Sequence, residues 1–201
     1  MNKRKLVVIG GGAAGFFCAI NAARMQPQMQ VILLEKTGKL LSKVKVSGGG
    51  RCNVTHHCFS MAEMVKKYPR GSSFLKKAFY HFFTTDTIQW FKERAVELKV
   101  EADGRMFPVT DNSQTIIDCM LAEASRYNVQ IEMNTDVREI VKQNENWKIT
   151  TAADKIFLAD MLCIASGGFH KSSQFEWLTK LGHTITAPVP SLFTLICPAI
   201  T

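Results

Sequence analysis

The chain has 201 residues, 46% of them apolar, enough for one large globular domain or most of two. Its six cysteines are scattered without a CxxC pair, and no apolar run reaches the roughly eighteen residues of a membrane span, so the expectation is a soluble, reduced, cytoplasmic chain rather than a disulfide scaffold or a membrane protein. The net charge of +8 comes largely from Lys39 to Lys77, where Glu63 is the only acid; a solvated basic surface with a few groups on an anionic ligand is the first account and a groove for RNA the second, no nucleic-acid module motif being present.

Lys5 to Ile9 is an apolar strand that runs into Gly10-x-Gly12-x-x-Gly15 and then a helix over Ala13 to Met25, ended before Pro27. A second strand, Gln30 to Glu35, closes on an acid about twenty residues after the glycines, which completes the dinucleotide-binding fingerprint. Gly10 permits the tight turn, Gly12 the close approach of backbone to a pyrophosphate, and Gly15 the packing of helix on sheet. The helix N-terminus faces the phosphates, and Glu35 accepts from ribose hydroxyls. The start Met1-Asn2-Lys3-Arg4-Lys5 before an apolar run also suits a signal peptide, but three consecutive glycines and the matched second strand argue against it.

Thr37 to Thr55 reads as a long Gly- and Lys-rich loop carrying function. Helices are expected over Met61 to Lys67 and Ser73 to Phe83, then one capped by Thr85 or Asp86 with Ile88, Phe91, Ala95 and Leu98 near a helical period. Val100 to Val109 suits a hairpin turning at Asp103-Gly104. Asp111 or Asn112 caps a helix with the stripe Ile116, Ile117, Met120, Leu121 and Ala124. Val129 to Met133 would extend a parallel sheet. Val137 to Val141, Trp147 to Thr151 and Lys155 to Leu158 form a meander with polar turns, and Met161 to Ala165 is an apolar strand ending in Ser166-Gly167-Gly168. The plan is α/β: a Rossmann-type parallel sheet with a three-stranded β-meander crossover, as in glutathione-reductase-like FAD-binding domains.

Several residues have a plain structural reading beside a chemical one. Cys52, His56, His57 and Cys58 lie close together, but zinc sites draw on two separated ligand pairs, so no metal is assigned. Cys52 is first a small packed residue and second a redox thiol whose pKa Arg51 would lower. Gly182-His183 reads as a helix C-cap. Trp90, Trp147, Trp177 and His81 are assigned to packing. No Ser/His/Asp set or carboxylate pair supports hydrolysis, and no catalytic residue is assigned.

The string Ser47-Gly48-Gly49-Gly50-Arg51-Cys52-Asn53 is the most individual in the chain, offering backbone N–H groups, a forked cation and an amide to a ligand. With the fingerprint, Gly104-Arg105-Met106-Phe107-Pro108-Val109, Ala165 to Gly168, Leu181 to Ile185 and Pro188 to Leu192, it resembles a family of bacterial and archaeal FAD-dependent oxidoreductases whose members carry labels such as aminoacetone-oxidase-like flavoprotein or dehydro-bile-acid reductase. The resemblance covers essentially the whole chain and implies FAD as cofactor. It places Gly10, Gly12, Ala13, Ala14 and Gly15 on the pyrophosphate, Glu35 with Lys36 beside it on the adenosine ribose, and Lys43 beside the phosphates. Ser47, Gly48, Gly49, Gly50, Arg51, Cys52 and Asn53 would run along the cofactor toward the flavin, Val137 would present its backbone to the adenine, and Ala165, Ser166, Gly167 and Gly168 would close over it. The departures are Ser166 where members often have Thr, and a short Phe169 to Gln174 segment. The implied reaction is NADH- or NADPH-linked reduction of a small molecule, or oxidation of a small amine; a flavin enzyme acting on RNA is the alternative. Residues 1–190 would form the N-terminal part of the FAD domain, with a helical insertion at about 60–110, and 191–201 would begin a crossover to a substrate domain of a protein about twice as long. A naturally short module is the other possibility.

Overall fold

The computed structural model describes residues 3–189. The expected crossover at 191–201, with Pro190 and Cys197, lies outside the described residues.

The strand β1 (Lys5–Ile9) leads through the glycines into helix α1 (Ala13–Met25), and β2 (Gln30–Leu34) returns beside β1. After α2 (Ser42–Gly50) comes an inserted unit: β3 (Thr55–His56), α3 (Met61–Lys66), α4 (Ser72–Phe79), α5 (Thr84–Lys92), β4 (Leu98–Val100) and β5 (Arg105–Pro108). Helix α6 (Ser113–Arg126) then leads to β6 (Gln130–Glu132), the meander β7 (Val137–Gln143), β8 (Asn146–Thr151) and β9 (Ile156–Ala159), strand β10 (Met161–Ile164), a 3-10 turn at Ser172–Phe175 and the short α7 (Glu176–Thr179). The central sheet has the order β10-β1-β2-β6 with every pairing parallel; β3-β5-β4 and β7-β8-β9 are separate antiparallel sheets.

Strand alternation decides what packs on each face of the central sheet. Leu6, Val8, Val31 and Leu33 meet Phe16, Ile20, Ile116 and Met120 of α1 and α6. Val7, Ile9, Ile32 and Leu34 meet Ile140, Ile149 and Phe157 of the meander. Strand positions covered on both faces must be apolar, which is why Leu6 to Ile9 and Val31 to Leu34 read as unbroken apolar runs.

Several expectations change: the helix expected over Ser73 to Phe83 ends at Phe79, and the helix expected to be capped by Thr85 or Asp86 begins at Thr84, after Phe83. Thr37 to Thr55 is not all loop: Ser42 onward is helical, and the assigned helix breaks at Ser47 (φ −65°, ψ 148°) and at Gly48 and Gly49, which are left-handed. Helix α5 stops at Lys92; Ala95 has φ 57° and Leu98 is already in β4, so that stripe spans a helix, a turn and a strand. His81 is exposed rather than packed. At the start of α5, Asp86 sits one turn inside and accepts from the Phe83 N–H at 2.7 Å. The cap of α6 is Asn112, whose side chain accepts from the Gln114 N–H at 2.9 Å.

The insertion is tied to the core by a charged pair. Arg94, after α5, donates from Nε to Glu123 of α6 at 2.6 Å, with both side chains under a tenth exposed. The guanidinium also donates to the Trp90 carbonyl at 2.8 Å and stacks 3.7 Å above the Trp90 ring. Among the described residues no helix is long and apolar enough to cross a membrane.

Candidate functional site at the ends of the parallel strands

Parallel strands place all their C-terminal ends on one edge, and the chain reverses there between β1 and β10, the position where open α/β sheets bind ligands. The turn after β1 is built by close backbone approach. A Cβ on Gly10 would stand 2.3 Å from the Ala165 carbonyl oxygen, and one on Gly15 would stand 1.9 Å from the Gly10 oxygen. Gly12 differs: nothing lies within 4 Å of its Cβ position. It is the N-cap of α1, which has neither a side-chain cap nor an acid in its first turn, and Ala13 and Ala14 are exposed. The unpaired N–H groups and positive end of α1 therefore open onto free space.

Glu35, just after β2, is held on both oxygens. Oε2 accepts from the Gly11 N–H at 2.8 Å, and Oε1 accepts from the Thr37 N–H and hydroxyl, each at 2.8 Å. Both lone pairs of Oε1 are thus taken, while Oε2 keeps one for a donor from a ligand. The segment after it is laid against the glycine turn, the Leu41 N–H donating to the Gly11 carbonyl at 2.8 Å. From α2, Lys43 reaches the turn after β10, where its Nζ is 3.5 Å from the Cβ position of Gly167. Beside these groups lies a cleft of about 460 Å³ lined by Gly10, Glu35, Lys36, Val137, Ser166 and Trp177. Lys36 pairs with Asp136 across it at 3.1 Å.

The Ser47–Asn53 string forms the second part. Gly48 is left-handed, and a Cβ there would press on Phe107 Cε1 at 2.7 Å, while Gly49 and Gly50 have open space. Arg51 is engaged within the chain. It pairs with Glu101 and lies 3.6 Å from Asp111, and it stacks 4.1 Å over the Phe107 ring. Glu101 above all keeps the guanidinium protonated. Cys52 is buried, and burial pushes its thiol above the ordinary value, so Arg51 does not make it a thiolate. Beyond this loop, Asn53, His56, Tyr68, Phe79 and Thr87 border a second pocket of about 400 Å³ beneath α3–α5.

Thus Gly10, Glu35, Lys36, Val137 and Ser166 line one cleft, while Gly15 and Ala165 pack against Gly10 and Lys43 reaches Gly167, the neighbour of Ser166. Sequence reasoning did not find Thr37, Asp136, Phe169 or Trp177 among the groups around that cleft. Thr37, two residues after the acid, had a local signal as a side chain able to fix the carboxylate. Trp177 had none, because only the fold brings α7 back to the strand ends.

Comparison with known proteins agrees with this architecture. A sequence model described as the HI0933-like protein Rossmann domain matches residues 4–189. A 3-dehydro-bile acid delta(4,6)-reductase of Clostridium scindens is 27% identical over 197 residues, covering 95% of this chain and 47% of the relative. A ribosomal RNA dihydrouridine synthase of Escherichia coli K12 is 27% identical over 168 residues, 84% of this chain and 40% of the relative. The chain thus spans about half the length of the curated relatives it matches. Among solved structures, the 3-ketosteroid-delta4-(5alpha)-dehydrogenase of Rhodococcus jostii RHA1 superposes with a TM-score of 0.61 at 15% identity, over 88% of this chain and 49% of that one.

Proposed function

The chain belongs to the HI0933-like Rossmann-domain family, and from that premise we propose that its cleft holds FAD in a flavin-dependent oxidoreductase acting on a small organic molecule, with NADH or NADPH as electron donor. The observation that carries this reading is the meeting of an uncapped helix start and a fixed carboxylate at the glycine turn, with a lysine on the turn after β10. The fit is physical. Gly12 leaves room for a pyrophosphate where any side chain would intrude, and the N–H groups of Ala13, Ala14 and Gly15 with Lys43 oppose its charge. Glu35 accepts from ribose hydroxyls and repels a 2′-phosphate, while Val137, Phe169 and Trp177 give the base an apolar wall. Bound there, FAD supplies the hydride chemistry, and the chain supplies binding, orientation and electrostatics.

Reduction of an activated carbon–carbon double bond is the favoured reaction, in keeping with the name of the Clostridium scindens relative; oxidation of a small amine is the other. The same reading takes these residues as the N-terminal part of a protein about twice as long, in keeping with the share of its relatives that the chain spans. The test is the visible spectrum of the intact purified protein. Bound flavin that NADH or NADPH bleaches is the expected result; no flavin bands, and no FAD uptake on reconstitution, would sink the proposal.

A second reading, reduction of a base within RNA, is favoured by the name of the Escherichia coli relative and by the basic run from Lys39 to Lys77. Mass spectrometry of RNA nucleosides after incubation with the reduced protein decides it: dihydrouridine supports it, and unchanged uridine removes it.

A further inference from the structure

From the insertion we infer that α3, α4 and the turn after α4 form a docking surface for single-stranded RNA, with phosphates on Lys67, Arg70, Lys76 and Lys77 and bases stacked on Phe74 and Tyr80. The inference rests on the RNA reading above and names the surface that would serve it. Three observations support it. Helix α4 has no buried residue, yet Phe74 is 77% and Tyr80 69% exposed. Those aromatics alternate with cations: Phe74, Lys77 and Tyr80 recur every three residues, which puts them along one side of the helix, and Lys76 is four residues before Tyr80. Finally, the charge is not neutralised locally. Between Phe59 and Phe82 the only acid is Glu63, which pairs with Lys66 at 2.7 Å, and Lys67, Arg70, Lys76 and Lys77 have no carboxylate partner among the described residues.

Exposed rings between unpaired cations suit a strand that offers a charged backbone and flat bases together, and suit an apolar protein face poorly. Packing joins the two helices into one surface: α3 and α4 lie against each other, with the Tyr68 and Phe79 rings edge to face at 5.9 Å. Both rings also border the pocket that Asn53 lines, so a strand on the patch lies next to the loop of the candidate site.

The test is fluorescence anisotropy of a labelled single-stranded RNA with the intact protein, at about 50 and 200 mM salt. Four neutralised phosphates predict a loss of roughly 50-fold in affinity between the two. Lys76→Glu/Lys77→Glu should weaken binding at low salt by at least about tenfold and flatten the salt dependence. Phe74→Ala/Tyr80→Ala should weaken it by roughly tenfold with the salt dependence intact. All four positions are exposed, so unchanged circular dichroism is the folding control. Wild-type binding that neither variant alters overturns the surface and leaves the RNA reading standing. Binding lost in the variants, with no dihydrouridine formed, upholds the surface and removes the reaction. No binding of the wild type at low salt, or binding only to phosphatidylglycerol vesicles, overturns the inference.

Discussion

A single methyl group distinguishes the glycines of the turn after β1. At Gly15 it would overlap the Gly10 carbonyl, so Gly15→Ala should cost about 3 kcal/mol or more and lose FAD together with the fold. At Gly12 it meets no protein atom, and the backbone φ of −89° suits any residue. Gly12→Ala should therefore change stability by less than about 1 kcal/mol while FAD affinity falls by at least about tenfold, because the methyl occupies the space meant for phosphate. Melting by circular dichroism and flavin content by absorbance separate the two outcomes. Cys52 makes the opposite case. Its thiol is raised by burial, so it is neutral at neutral pH, and stability or chemistry that needs the thiolate cannot appear until the pH climbs past that raised value. Cys52→Ala is expected to leave flavin reduction by the nicotinamide donor, and its pH dependence near neutrality, essentially unchanged; a lost step in the stopped-flow pH profile would contradict this. Arg51 shows what one sequence cannot reveal. Its type and place in a glycine loop suggest an anion ligand, but its partners Glu101 and Asp111 come from distant segments brought in by β4 and β5.

Elements were legible where one local signal ruled. β1, α1 and β2 lie where unbroken apolar runs, glycines and Pro27 place them, and the meander turns fall on Asn144 and Asp154, both left-handed. The elements missed were those with conflicting signals. The residues of α2 are Gly-rich and weakly amphipathic, so its helical start is set by the contacts of Leu41 and Val44 with the core rather than by propensity. In α5 the apolar period runs past the true end: Leu98, with Val96, stays on the same core after the chain has left the helix, whereas Ala95 in the turn is exposed. What fixes the insertion is Arg94, and its removal should be felt at this scale. Arg94→Ala leaves the buried Glu123 with only the exposed Arg126, at 3.3 Å, and should cost about 3 kcal/mol in urea unfolding. An Arg94→Met/Glu123→Leu pair should recover most of that loss, since no charge then remains buried. Equal losses in the single and double variants would show that the pair matters through shape alone.

The whole molecule is a sheet clamped between two unlike layers, helices on one side and a meander on the other, with the insertion attached at the rim. Stability should be graded accordingly. In hydrogen exchange, the amides of β1 and β2 should open only with global unfolding, whereas those of α4, which has no buried residue, should exchange through local opening orders of magnitude faster. Protection of α4 equal to that of β1 would refute this gradient.

The contact between Gly10 and Ala165 has a consequence for how such a chain comes into being. The strand nearest the start of the sequence is flanked by β2, made almost at once, and by β10, made only after the whole insertion and meander. At roughly 5–20 residues per second, about 8–30 s of synthesis separate the glycine turn from the segment that shapes its far wall. Throughout that interval β1 has one bare edge, the condition in which strands pair with the wrong neighbour. In a nascent chain of this design that edge stays open until β10 emerges from the ribosome.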